Sequence, residues 1–212
     1  MLPYQIPQKR RRIIDSDAKN AADDQFAVAH ALLPPKLDIR GVIGTHFGPH
    51  RSARSMEDSY QECRKVVRLM GLGDRVDGLR GSREAVKSET GYEYSDGARR
   101  IVEEAMSEED THLFVIFLGP LTNLACAYLH NPAIAGRLTA IWIGGAAYPQ
   151  GGAEYNLGND IPAANIVMRS PIELWQVPNN VYCLMRVGFA ELYEKVYPCG
   201  EIGKYLFEQL ME

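Results

Sequence analysis

Apolar runs of strand length alternate with helix-like segments along most of this 212-residue chain, and this alternation is what most constrains its fold. The runs HLFVIFLG, from residue 112, and LTAIWIGG, from residue 138, are almost continuously apolar. Such runs are typical of parallel strands that helices cover on both faces. The alternation therefore predicts βαβ units and an α/β fold: a mainly parallel, doubly wound open sheet in a single domain over residues 1–212.

Three further apolar runs complete the predicted sheet, namely RIIDSD, LDIRGVIGTHF and IELWQVP. Trp142 and Trp175 lie inside strand runs, so we expect both in the core. The stretch 72–95 is polar and glycine-rich and predicts a surface loop.

Net charge and the length of the apolar runs limit the kinds of partner and the cellular compartment that the sequence predicts. The net charge of -4 disfavours nucleic acid as the main partner. No apolar run approaches the ~20 residues that a membrane helix needs, and the basic start MLPYQIPQKRRR lacks the apolar centre of a signal peptide. We interpret the basic cluster Lys9–Arg12 as a solvated lead-in to the first strand. The sequence thus predicts a cytoplasmic protein with a small-molecule ligand, without a membrane or nucleic-acid partner.

The cysteines form no C-x-x-C pair and predict reduced thiols, mostly in the core: Cys63, Cys126, Cys183 and Cys199.

Polar side chains follow several of the predicted strands. In open parallel sheets, ligands bind beyond the carboxyl ends of the strands, and these ends share one edge. We therefore expect the polar residues there to converge on one rim. They are Asp15, Asp17, Asp23, Asp24, Thr122, Asn123, Glu154, Asn156, Asn159 and Asp160.

The first of these groups holds four aspartates within ten positions, at 15, 17, 23 and 24. Like charges at this density are unfavourable without a counter-charge. A Ca²⁺ ion, which takes oxygen ligands, would supply it: Asp17 at the strand end and Asp24 at the helix start could share one ion. Asp23 would then point elsewhere and accept hydrogen bonds from hydroxyl groups. The alternative is a helix cap with acidic residues in the first turn, which accounts for two aspartates better than for four.

Three segments carry a resemblance to a known family. IIDSDAKNAADDQFAVAHALL resembles the D-x-D-P-G-x-D-D-A motif of the inosine-uridine preferring nucleoside hydrolases. LGPLTNLA matches that family's L-G-P-L-T-N-x-A segment, and IGGAAYPQGGAEYNLGNDIPAANIV resembles its G-G … E-[FY]-N … D-P-x-A-A segment. The three motifs occur in the family's order, each at a predicted strand end, over roughly residues 12–178.

The resemblance implies an enzyme that hydrolyses the N-glycosidic bond of ribonucleosides to base and ribose. Asp17 would bind Ca²⁺ and, as general base, activate a Ca²⁺-bound water. Asp24 and the backbone carbonyl of Thr122 would be further ligands of the ion, and Asp15 would lie behind the site and orient the loop. The family expectation also includes a role in purine and pyrimidine metabolism and a homo-oligomer, either dimer or tetramer. Ribose hydroxyls would be held by Asp23, Glu154 and Asn156.

The sequence departs from the family pattern in three places. The loop from Asp17 to Asp24 is two residues longer, lacks the Pro-Gly turn and carries Lys19, which could partly neutralise the carboxylates. The segment THFGPH lacks the family's Gly-Asn, so His46 or His50 could contact the ribose instead, although a surface histidine is the simpler interpretation. The family's C-terminal third, with a further Asp ligand and often a His that protonates the leaving base, has no counterpart here.

Two other functions are compatible with parts of this pattern. Without the C-terminal ligand and acid, the chain could be a catalytically incompetent relative that binds a ribosyl group or a metal. An Asp-x-Asp after the first strand also occurs in haloacid-dehalogenase-like phosphohydrolases. That motif requires Thr or Val where this chain has Lys19, and it has no place for AEYN, so we rank it lower.

Overall fold

The computed structural model describes residues 10–211, and in it six parallel strands form one sheet in the order β3-β2-β1-β4-β5-β6. The predicted mainly parallel, doubly wound α/β sheet is confirmed. The strands are β1 (Arg10–Ser16), β2 (Leu37–Gly44), β3 (Gly78–Arg80), β4 (Leu113–Phe117), β5 (Leu138–Ile143) and β6 (Glu173–Val177).

Helices connect the strands and cover both faces of the sheet. They are α1 (Asp23–Leu32), α2 (Ser55–Leu69), α3 (Asp96–Ala105), α4 (Thr122–His130), α5 (Tyr155–Asn159), α6 (Ile161–Arg169), α7 (Asn179–Tyr182), α8 (Phe189–Lys195) and α9 (Gly200–Glu208). Short 3₁₀ turns span Pro132–Gly136 and Gln209–Met211. None of the helices within residues 10–211 has both the length and the apolar character needed to cross a bilayer.

The hydrophobic core lies in two layers, one on each face of the sheet. Ile13 belongs to the layer beneath α3, α4 and α6, whereas its neighbour Ile14 belongs to the layer beneath α1, α2 and α9. Successive strand residues point to opposite faces, so a strand covered on both sides must be apolar at every position. This explains the uninterrupted apolar runs in β4 and β5.

The outer parts of the fold differ from the sequence-based expectations. Trp142 in β5 is fully buried, as predicted, but Trp175 in β6 is 51% exposed, so its assignment to the core is wrong. The physical reason is that β6 is an edge strand, and part of its surface lacks a covering helix among the described residues. All four cysteines are free, as predicted, yet Cys183 and Cys199 are exposed. The predicted loop 72–95 contains the short edge strand β3.

The central strand β1 lies at the point where the strand order reverses, because the chain adds β2 and β3 on one side and β4 to β6 on the other. Backbone hydrogen bonds extend beyond the strands there: Leu118 N donates to Asp15 O at 2.8 Å, and Thr45 N donates to Ser16 O at 2.9 Å. Crevices at such reversal points are the usual ligand sites of open α/β sheets.

Of the basic cluster Lys9–Arg12, Lys9 lies outside the described residues, whereas Arg10, Arg11 and Arg12 belong to β1 itself. Arg11 is 3% exposed and donates to Thr111 O at 2.6 Å and to Glu104 O at 2.7 Å, so the interpretation as a solvated lead-in is wrong for this residue, because the end of α3 covers it.

Candidate active site

The acidic residues at and after the end of β1 converge at the strand reversal. Asp15 and Asp17 are 0% and 3% exposed, and Asp24, from the first turn of α1, is half-buried. The carboxyl groups of Asp17 and Asp24 are neighbours, and the charge of Asp24 contributes to a raised pKa of Asp17. Ser16 Oγ donates a further hydrogen bond to Asp24 Oδ2 at 2.7 Å. Two carboxylates that the sequence predicted as ligands of one ion are therefore adjacent.

The surroundings of these acids disfavour their ionised forms. Burial raises the pKa of Asp15 to about 8, and the hydrogen bond from Asn123 offsets part of this rise. Burial also raises the pKa of Asp24 to about 6, and burial followed by the charge of Asp24 raises the pKa of Asp17 well above its ordinary value. Three buried carboxyl groups at such short range need a cation to ionise together.

Two carboxylate oxygens in this cluster, Asp15 Oδ1 and Asp17 Oδ2, lack a hydrogen-bond partner among residues 10–211. Asp17 Oδ2 is buried and meets no hydrogen-bond donor from residues 10–211. Buried polar atoms normally have partners, so an orphaned carboxylate oxygen indicates a missing ion or water. The cation of Lys19 is paired with a different carboxylate, since its Nζ lies 3.9 Å from Glu62 Oε2. The donor set fits a hard divalent cation such as Ca²⁺, for which carboxylate oxygens are suitable ligands.

The described residues do not assemble three or more His, Cys, Asp or Glu side chains into a group that could hold a metal. This finding concerns side chains alone, and the predicted set contains two carboxylates and a backbone carbonyl. The carbonyl belongs to Thr122, the first residue of α4. The turn that precedes this helix lies beside the acids, since a Cβ on Gly119 would lie 3.1 Å from Asp17 Cγ.

A buried chain of hydrogen bonds holds the start of α4. Thr122 Oγ1 donates to Asp160 Oδ2 at 2.7 Å, so the 2.8 Å contact between Thr122 Oγ1 and His46 Nε2 requires a proton on Nε2. His46 Nδ1 then accepts from Gly48 N at 3.3 Å. Both ring nitrogens are engaged, and His46 is 1% exposed. The interpretation of His46 as a surface residue is therefore wrong, whereas His50 is exposed as expected.

The amide of Asn123, the next residue, bridges several strand ends. Its Nδ2 donates to Asp15 Oδ2 at 2.7 Å and to Thr45 Oγ1 at 3.2 Å. Its Oδ1 accepts from Ser82 N at 2.8 Å and from Ser95 Oγ at 2.9 Å. Asp15 thus lies behind the crevice, in contact with the segment after β4. The orienting role that the resemblance implies for Asp15 stays a prediction.

The predicted ribose-binding residues Glu154 and Asn156 lie after β5, at the same edge of the sheet. Asn156 Nδ2 donates to Leu118 O at 2.7 Å and to Ile143 O at 2.8 Å. Both amide hydrogens are thereby used, and Oδ1 is the group that Asn156 can offer to a ligand as an acceptor. The amide orientation follows from the two carbonyl partners.

Glu154 caps α5 and is held on both carboxylate oxygens. Its Oε2 accepts from Gly145 N at 2.7 Å and from Leu157 N at 2.9 Å, and its Oε1 accepts from Tyr182 OH at 2.9 Å. Burial, followed by the hydrogen bond to Glu154, raises the pKa of Tyr182, and the charge of Asp23 contributes to the same shift. Asp23 is exposed at the start of α1.

Several residues of this site received no role from the sequence. Asp160 accepts hydrogen bonds from Thr122 Oγ1 and, at 2.9 Å, from Val86 N. It also caps α6 by accepting a hydrogen bond from Ala163 N. Its position before Ile-Pro-Ala-Ala was a recognisable helix-start signal, but its contact with Thr122 joins residues 38 apart in the chain. Tyr182 lies in a segment without any distinctive motif.

The chain matches the family model described as inosine-uridine preferring nucleoside hydrolase over residues 12–210. It is 25% identical over 218 aligned positions to the pyrimidine-specific ribonucleoside hydrolase RihB of Escherichia coli strain SE11. That alignment covers 92% of this chain and 68% of RihB.

Solved structures share the fold. The purine-preferring ribonucleoside hydrolase from Gardnerella vaginalis superposes with a TM-score of 0.79 at 21% identity, covering 94% of this chain and 70% of that chain. A plant nucleoside hydrolase, PpNRh1, superposes with a TM-score of 0.73 at 22% identity, covering 94% and 69%. The motif order, the acidic crevice and the family match over nearly the whole chain lead to one conclusion: this protein belongs to the inosine-uridine preferring nucleoside hydrolase family of enzymes.

Proposed function

We propose that this chain hydrolyses the N-glycosidic bond of ribonucleosides and releases the free base and ribose. The observation that carries the proposal is the buried Asp17 Oδ2, which is unpartnered within residues 10–211 although its carboxyl group lies against Asp24. A Ca²⁺ ion would give this oxygen a partner and offset the repulsion between the acids. We assign its protein ligands to Asp17, Asp24 and the carbonyl of Thr122.

When bound, Ca²⁺ would lower the pKa of the attacking water and place it beside the sugar. Asp17 would accept a proton from the attacking water while the water oxygen forms a bond to C1′ of the ribose. The bond from C1′ to the base nitrogen breaks, and the base leaves with the bonding electron pair. Positive charge develops on the ribosyl ring, and the surrounding carboxylates stabilise it.

The proposed pentose site offers mainly hydrogen-bond acceptors. Asp23 and Glu154 present carboxylates, and Asn156 presents Oδ1 because its amide hydrogens are bound by backbone carbonyls. Ribose hydroxyls are donors and suit such a site. Fixing these hydroxyls would orient C1′ towards the water. The names of the relatives include both a pyrimidine-specific and a purine-preferring enzyme, so inosine and uridine are both suitable probes.

The test is the release of reducing sugar from inosine and uridine in the presence of Ca²⁺. Asp17→Asn removes the proton acceptor, and we expect kcat to fall by at least about 100-fold. The control is Asp110→Asn, since Asp110 is exposed before β4, at the opposite edge of the sheet. Equal activity of Asp17→Asn and the wild type would contradict the assignment of the base.

The same assay separates the alternative function. Binding of nucleoside or ribose by calorimetry, without any release of sugar from the wild type, would identify a ribosyl-binding relative that lacks turnover. A cytoplasmic location and a homo-oligomeric state, dimer or tetramer, stay predictions. Cell fractionation and light scattering of the purified chain test them.

A further inference from the structure

A group of contacts at the mouth of the crevice joins the acidic loop to two other segments. Asn20 Oδ1 accepts from Tyr155 OH at 2.8 Å and from Arg51 Nη1 at 2.8 Å. Arg51 Nη1 also donates to the backbone carbonyl of Asn20 at 2.7 Å, and the Arg51 guanidinium lies 5.6 Å from the centre of the Tyr155 ring. We call the three residues Asn20, Arg51 and Tyr155 the Asn20 latch.

The latch connects the two halves of the proposed site. Asn20 lies midway between Asp17 and Asp23, and its N–H donates to Asp17 O at 2.8 Å. Tyr155 lies between Glu154 and Asn156 in the sequence, where the proposed ribose contacts are. A displacement of Asn20 would therefore move the metal-binding acids relative to the sugar-binding side chains.

The loop has few internal constraints of its own. The segment 18–22, AKNAA, contains neither proline nor glycine, and Asn20 is its one residue of a type that favours turns. Lys19 lies 3.9 Å from Glu62 and is about half exposed, and such an ion pair contributes little. Gln209 Nε2 donates to Ala22 O at 3.3 Å, which holds the end of the loop. The middle of the loop depends on the latch.

We infer that Arg51 and Tyr155 are positioning residues that act through Asn20 to hold the acidic loop in the conformation in which Asp17 and Asp24 share a cation. The inference rests on the proposed function, because it assigns the loop geometry to cation binding. Neither residue touches the reacting atoms in this assignment. Their role is to reduce the fraction of time in which the acidic loop is displaced.

The first test measures amide hydrogen exchange of residues 18–24 in the metal-free protein. Arg51→Ala removes two hydrogen bonds, and we expect exchange there to become about two- to tenfold faster. Tyr155→Phe removes a single hydroxyl and should have a smaller effect in the same direction. The matched control is Arg54→Ala, an exposed arginine of the same segment that is outside the latch. Equal rates of amide hydrogen exchange at residues 18–24 in Arg51→Ala and Arg54→Ala would overturn the inference that the Asn20 latch holds the loop.

The second test measures Ca²⁺ affinity by calorimetry on the full chain. Arg51→Ala should bind Ca²⁺ about two- to tenfold more weakly than the wild type, and Arg54→Ala should bind it equally well. Faster exchange with unchanged affinity in Arg51→Ala overturns the positioning role. If the wild type binds no Ca²⁺, the proposed function itself is wrong. Failure of the latch and failure of the proposed function are therefore distinguishable.

Discussion

At the scale of single residues, the crevice contains polar atoms whose partners determine what each can do. Asn156 shows this most clearly, because both amide hydrogens are bound by the carbonyls of Leu118 and Ile143 at the ends of two strands. The side chain therefore connects the segments after β4 and β5 and leaves an acceptor for a ligand. A residue chosen for ligand binding alone would not need two buried donors.

Asn156→Asp tests this double role. The substitution replaces the donors with a carboxylate facing two carbonyl oxygens, so we expect a loss of about 2–4 kcal/mol in the free energy of unfolding. Urea denaturation measures it. Asn131→Asp is the control, because Asn131 caps its turn by accepting from Ala133 N, which an aspartate does equally well. Similar stabilities of the two variants would contradict this assignment of the Asn156 amide.

At the scale of elements, the turn between β4 and α4 is packed against the residues that follow β1 and β2, without space for a side chain. A Cβ on Gly119 would lie 2.9 Å from Thr45 Cγ2 and 3.1 Å from Asp17 Cγ. Trp142 Nε1 also donates to Gly119 O at 3.1 Å, which holds this backbone from the β5 side. The glycine allows the helix start to approach the acids.

Gly119→Ala should push the helix start and Asp17 apart. We expect Ca²⁺ affinity to fall about tenfold and stability to fall by about 1–3 kcal/mol, the usual cost of an overpacked site. Calorimetry and urea denaturation measure the two quantities. Gly136→Ala is the control, since its Cβ would have no heavy atom within 4 Å among the described residues. An unchanged affinity in Gly119→Ala would show that the crevice tolerates the displacement.

At the scale of the whole molecule, the acid cluster couples stability to pH and to the cation. The folded chain holds Asp24 protonated up to about pH 6 and Asp15 up to about pH 8, above the ordinary value of 3.8. The unfolded chain loses these protons near the ordinary value. The folded state therefore binds more protons between about pH 4 and pH 8, and the metal-free protein becomes less stable as the pH rises through that range.

Thermal melts in a chelator should show this loss of Tm towards pH 8. Added Ca²⁺ favours the ionised acids, so we expect it to raise Tm more at pH 8 than at pH 5. Asp15→Asn, which cannot ionise, should flatten the pH dependence of the chelated protein. The same gain in Tm with Ca²⁺ at both pH values would contradict the role of the cluster in cation binding.

Local sequence patterns were enough to identify the α/β class, the strands β1, β2, β4, β5 and β6, and the three motifs that place this chain in its family. These features are local, since hydrophobic periodicity and motif spacing are properties of consecutive residues. The convergence of the acids at one edge also followed, because parallel strands end together.

Only the tertiary structure decided which side chains meet within that edge and which are covered. It paired Lys19 with Glu62 rather than with the aspartates, buried His46 against Thr122, and left Trp175 exposed on an edge strand. Each outcome depends on neighbours distant in sequence, and side-chain burial is a property of the packed layers. Local patterns therefore identified the chemistry, whereas the packing of the layers positioned its residues.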